Sequence, residues 1–162
     1  MDHIRESVTA NMISCNPALW NEVIIKKYAY NARTRILMAK LGEGYEAAMR
    51  SLAEAFWNAG YEVIYTYIQK PEAIVASAIQ ESVDHIGITL LPGADIEDLG
   101  RVLQLLKKEH SSHIRVSAGG YLELNKINEV QEMGVVEFFP RGTSIPELIQ
   151  WARDNITPTL GK

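Results

Sequence analysis

This chain has almost no cysteine, no basic tract and no long apolar run. The single cysteine, Cys15, has no partner for a disulfide within the chain and fits a reducing, cytoplasmic setting. Lysine and arginine total 16 against 20 aspartates and glutamates, a formal net charge of −4, with the signs interspersed. That balance leaves no electrostatic footprint for nucleic acid. The longest apolar runs fall far short of the ~20 residues that cross a bilayer, so no membrane contact is expected. The opening Met-Asp-His-Ile-Arg-Glu lacks the apolar segment of a secretory signal. What remains is ordinary globular material: 162 residues, 47% hydrophobic and 22% charged, enough for one sizeable core.

Residues 1–32 carry scattered apolar side chains such as Ile4, Val8, Leu19 and Trp20, without a glycine-punctuated strand. They are expected to form an N-terminal extension, partly helical, packing on the main domain or on a partner. Residues 33–162 alternate regularly. Candidate strands are Ile36–Ala39, Glu62–Tyr67, His85–Leu90, Arg115–Ala118 and Val135–Phe139. Between them lie helical stripes. Met49, Leu52, Ala53 and Phe56 fall on one face before a stop at Gly60. Pro71 opens a second helix and Asp95 caps a third. A shorter helix covers about residues 125–133, and Ser144-Ile145-Pro146-Glu147 is a capping box for the last.

Five strands alternating with five helices predict an α/β domain, a parallel sheet covered on both faces. The commonest topology for this count is the flavodoxin-like (Rossmann-like) order 2-1-3-4-5. Ligands of such sheets bind beyond the carboxyl ends of the strands. Four loops share that rim: Gly42–Tyr45, Thr89–Ala94, Gly119–Tyr121 and Pro140–Thr143. Glycine ends strands and starts turns in any protein, but it also lets backbone approach a ligand closely.

The common ligands of this topology do not fit. A receiver domain needs clustered aspartates after strand 1, where this chain has Lys40. A flavodoxin needs hydroxyls in its first loop, and Leu41–Tyr45 has no serine or threonine. A dinucleotide turn needs a third glycine where Ala47 stands.

From Arg35 to about Ala152 the chain resembles the cobalamin (vitamin B12)-binding domain of methylmalonyl-CoA mutase and related acyl-CoA mutases. Arg35–Gly42 resembles that family's first strand, ending in Lys-Leu-Gly. Gly87-Ile88-Thr89-Leu90-Leu91 stands where the family has G-V-S-S-L. Ala118-Gly119-Gly120 matches its glycine pair after strand 4, and Arg141–Glu147 its G-T-x-I-P-E segment. The resemblance implies cobalamin, as adenosylcobalamin or another form, as the cofactor. It implies that Thr89 and Leu91 line the slot for the benzimidazole tail. Gly119, Gly120, Gly142 and Thr143 would border the nucleotide, and Tyr121 would stack on a planar ligand.

One substitution falls at the metal. The family has Asp-x-His-x-x-Gly after strand 1, and its histidine ligates cobalt from below. The equivalent stretch is Glu43-Gly44-Tyr45-Glu46-Ala47-Ala48, one residue shorter. Tyr45 stands for the histidine, Glu43 for the aspartate and Ala48 for the last glycine. Neutral imidazole is a good ligand near pH 7, whereas a phenol, with a pKa of about 10, is mostly protonated. Cobalamin would then bind with its own base on the metal or with water below. No protein metal ligand is assigned.

The resemblance implies a B12-carrying component that is not catalytic alone, because 162 residues are too few to include the acyl-CoA barrel. Its partners would be a separate barrel subunit and, for a homo-oligomer, further copies of itself. Two alternatives stay open: a degenerate regulatory subunit whose Gly42–Ala48 loop fills the slot, and a binder of another phosphate-bearing ligand at Gly142-Thr143. His110, His113 and His85 lie at the opposite end of the predicted sheet, and Trp57 and Trp151 read as core or interface side chains.

Overall fold

The computed structural model describes residues 33–67 and 70–159. The N-terminal extension and Cys15 lie outside the described residues. The elements run β1 (Arg35–Leu41), α1 (Glu46–Asn58), β2 (Glu62–Tyr65), α2 (Pro71–Gln80), β3 (His85–Leu90), α3 (Ile96–Lys108), β4 (Arg115–Gly120), α4 (Leu124–Glu132), β5 (Phe138–Pro140) and α5 (Ile145–Asn155). The five strands form one parallel sheet in the order β2-β1-β3-β4-β5. This is the flavodoxin-like order expected from the alternation of strands and helices.

Strand lengths follow position in the sheet. β1 and β4 each pair with two neighbours and extend beyond the predicted spans, to Leu41 and Gly120. β2 and β5 are edges with one neighbour each, and both are shorter than predicted. β5 starts at Phe138 rather than Val135, after the Gly134 turn, where φ is +110°, although the Val136 N–H already donates to the Val116 carbonyl at 2.9 Å.

The helix ends are written in local chemistry. The Asp95 carboxylate accepts the Glu97 N–H at 2.9 Å and caps α3. Ser144 and Glu147 form the reciprocal capping box of α5. Pro71 occupies the first turn of α2, where its missing N–H costs nothing.

The sheet's faces are covered differently. On one, Leu37, Ile86, Ile88, Leu90 and Val116 pack with Ile74, Val75 and Ala78 of α2, Leu99, Val102 and Leu106 of α3, and Val130 of α4. On the other, Ile36 and Met38 pack with Phe56 of α1 and Ala152 of α5. This second face is not filled, and the gap positions the site.

Candidate functional site

A slot of about 340 Å³ runs between the sheet and the helices α1 and α5. Its helix wall is apolar: Leu52 and Phe56 of α1, Leu148 and Ala152 of α5. Its sheet wall follows from the two-residue period of a strand. Thr89, Gly87 and His85 of β3 alternate along this face, while Ile86 and Leu90 belong to the opposite core. Two steps of the period separate Thr89 from His85, about 13 Å of strand. Midway, a Cβ added at Gly87 would meet nothing within 4 Å. The missing side chain there is open space that a ligand can use.

The mouth of the slot lies at the carboxyl ends of the strands. Thr89, Gly119, Gly120, Gly142 and Thr143 all line it, so five of the sequence candidates converge on one cavity. Gly120 also has a purely structural reason to be glycine. Its φ is +111°, and a Cβ would collide with the Leu90 carbonyl oxygen. The Thr143 hydroxyl donates to the Pro140 carbonyl at 2.7 Å, which fixes the β5–α5 loop.

The other candidates are placed differently. Leu91 is buried but does not line the slot: β3 has ended at Leu90, and the Leu91 N–H donates to the Leu41 carbonyl at 2.8 Å. Glu43 borders a second, more polar hollow with Asp95 and Asp98 rather than the slot. Tyr45 is 53% exposed on the rim, and the exposed Gly44 precedes it. The Tyr45 hydroxyl lies 3.5 Å from that of Tyr121, with ring centroids 6.2 Å apart. The Arg141 guanidinium sits 4.3 Å from the centre of the Tyr121 ring. The hydrogen bond shared with Tyr45, and then slight desolvation, pushes the Tyr121 hydroxyl above its ordinary pKa.

Several site residues escaped the sequence reading. His85 closes the floor, buried, with Nε2 2.8 Å from the Ser117 hydroxyl and its ring edge-on to Trp151. Burial, and then the nearby Arg115, lowers its pKa to about 4, so the ring is neutral at physiological pH. Trp151 is therefore a wall of the slot. Beside the slot rather than in it, Lys40 is only 3% exposed and pairs with Glu46 at 3.1 Å, tying the first residue of α1 to the end of β1. A lone lysine inside the apolar run Ile36–Leu41 was the available signal, because buried amines are paired.

Residues 42–45 of the first loop stay out of the slot. Glu43, Gly44 and Tyr45 are exposed, and only Ala48 of the segment reaches the cavity. The model of the B12 binding domain matches residues 34–149, covering every element from β1 to the first turn of α5. The chain belongs to the B12-binding domain family. It is 31% identical over 121 residues to the 2-hydroxyisobutanoyl-CoA mutase small subunit of Aquincola tertiaricarbonis, across 74% of this chain and 89% of that one. It is 29% identical to the methylmalonyl-CoA mutase large subunit of Propionibacterium freudenreichii subsp. shermanii over 74% of this chain, but spans only 17% of that much longer protein. In three dimensions it is similar to a cobalamin-binding protein from Desulfitobacterium hafniense DCB-2, with TM-score 0.64 and 18% identity over 75% of this chain and 58% of that one. The receiver domain of NarL from Mycobacterium tuberculosis shares the fold at TM-score 0.60 and 13% identity, over 75% of this chain and 94% of that one.

Proposed function

We propose that this B12-binding domain carries cobalamin as the small subunit of a two-part acyl-CoA mutase. The open apolar slot is the observation that carries this reading. Its volume of about 340 Å³ accommodates a flat bicyclic base, and the bare Gly87 backbone gives that base room against the sheet. Burying an aromatic surface of about 200 Å² is worth about 5 kcal/mol before ordering costs. Thr89 offers its hydroxyl to the base nitrogen, as the serine of the family does. Gly119 and Gly120 let the chain approach the nucleotide loop of the cofactor, and the apolar helix wall excludes water from the base.

When bound, the cofactor supplies the radical chemistry of isomerisation. This chain's residues hold and orient it, and the acyl-CoA would sit in a larger barrel partner. The similarity to a mutase small subunit, across 89% of that protein, supports this. A reducing, cytoplasmic setting belongs to the same proposal. Among the described residues no helix is long and apolar enough to cross a membrane.

The open slot favours this reading over a regulatory subunit that has lost the cofactor. The anion alternative is weakened by the α5 terminus, where Glu147 already places a carboxylate on the Ser144 N–H. Titration with cobalamin tests the proposal. Co-elution on gel filtration and a changed visible spectrum at micromolar protein are expected. No co-elution and an unchanged spectrum would overturn it.

A further inference from the structure

Tyr45 is held in an unusual way. It sits at the N-terminal boundary of α1 with a left-handed backbone, φ 56° and ψ 29°, and no side-chain cap bond. That conformation costs an L-residue about 1 kcal/mol or more. Its ring stands exposed on the rim, beside Tyr121, on whose ring the Arg141 guanidinium also rests. Glu46, the adjacent carboxylate, is committed to Lys40 and does not serve as a hydrogen-bond acceptor for Tyr45. The rim therefore presents two phenols, one guanidinium and the Thr89 and Thr143 hydroxyls. Among the described residues every imidazole lies elsewhere: His85 at the slot floor, His110 and His113 before the amino end of β4. Guanidinium keeps its proton and cannot ligate a metal.

A corrinoid has one base, and that base is either on the cobalt or in the slot. We propose that with cobalamin bound the lower face of the cobalt meets no nitrogen donor: the slot takes the base, and among the described residues the place of the family's lower ligand holds the Tyr45 phenol beside that of Tyr121. This inference rests on the cobalamin reading above. The two tyrosines support the macrocycle by contact, and their hydroxyls stay bonded to each other rather than to the metal. The raised pKa of Tyr121 agrees with a phenol that keeps its proton.

The test is the electron paramagnetic resonance spectrum of the full chain loaded with cob(II)alamin. One axial nitrogen, of nuclear spin 1, splits each cobalt line into three. The wild type is expected to give unsplit lines. Tyr45→His is expected to introduce the three-line pattern. Tyr45→Phe is expected to keep the unsplit lines and the visible spectrum of the wild type, with affinity reduced by about threefold. A three-line pattern in the wild type would overturn the inference, as would a visible band lost in Tyr45→Phe, which would mean a phenolate on the metal. Unsplit lines in Tyr45→His would contradict the placement of residue 45 beneath the cobalt. Failure of cob(II)alamin to co-elute with the wild type would instead overturn the underlying cofactor proposal.

Discussion

The two faces of the sheet are built from the same strands and end differently. Under α2, α3 and α4 the side chains of β1, β3 and β4 merge with those of the helices into one continuous core. Under α1 and α5 a smaller cluster closes the amino end and the edges, and a slot of about 340 Å³ stays open toward the rim. β3 shows how. Ile86, Ile88 and Leu90 interleave with His85, Gly87 and Thr89, so the helices on one side meet branched apolar side chains and those on the other meet small or polar ones. Leaving apolar walls uncovered is unfavourable in a free protein, and it supports the proposal that a ligand forms the last layer of this face.

The contrast can be broken from either side. The largest effect is expected from filling the slot. Gly87→Leu places a side chain where a Cβ has nothing within 4 Å. Cobalamin affinity should fall by about a hundredfold or more, roughly 3 kcal/mol, with the melting temperature unchanged or raised. A variant that binds normally would show that the base lies elsewhere. Leu99→Ala cuts into the packed face at a fully buried position. It should cost about 3 kcal/mol of stability in urea and leave cofactor affinity within a factor of about two. Parallel losses of both would mean that the faces are not independent.

Acid separates the faces as well. His85 titrates at about 4 in the folded protein, below its ordinary 6.5, through burial and then Arg115. Between those values the unfolded chain binds the extra proton. Stability is therefore fully present above about pH 6.5 and declines as the pH falls toward 4, by up to about 3 kcal/mol. Urea unfolding at about pH 7 and about pH 4.5 should reveal the slope, and His85→Leu should remove most of it. An equal slope in that variant would place the titration elsewhere. The smallest effect is local: Ser144→Ala removes the capping box of α5, with an expected cost of about 1 kcal/mol in a thermal melt and only a slight change in affinity.

The packed face was legible in the sequence because burial on both sides of a parallel sheet produces apolar runs, and glycine, proline and capping residues mark their ends. Asp95 and Ser144 occupy N-cap positions and Pro71 the first helical position, as their types suggest. Edge strands were less legible, since β2 and β5 end where pairing ends and not where hydrophobicity does. The mouth of the slot was found through its glycines and Thr89. Its floor was not, because His85 read as a residue at the amino end of a strand, Ser117 carried no signal, and their meeting at 2.8 Å depends on the β3–β4 register. Leu91 illustrates the converse. It matched a motif, but the strand stops one residue earlier and carries it away from the slot.

The account's central claim is that the α1/α5 face is completed by the cofactor's base. Comparing the affinity of cobalamin with that of cobinamide, which lacks the base, tests this most directly, in the wild type and in Gly87→Leu. The wild type should prefer cobalamin by about a hundredfold or more, and Gly87→Leu should bind both equally weakly. Equal binding by the wild type, or a preference that survives Gly87→Leu, would contradict it.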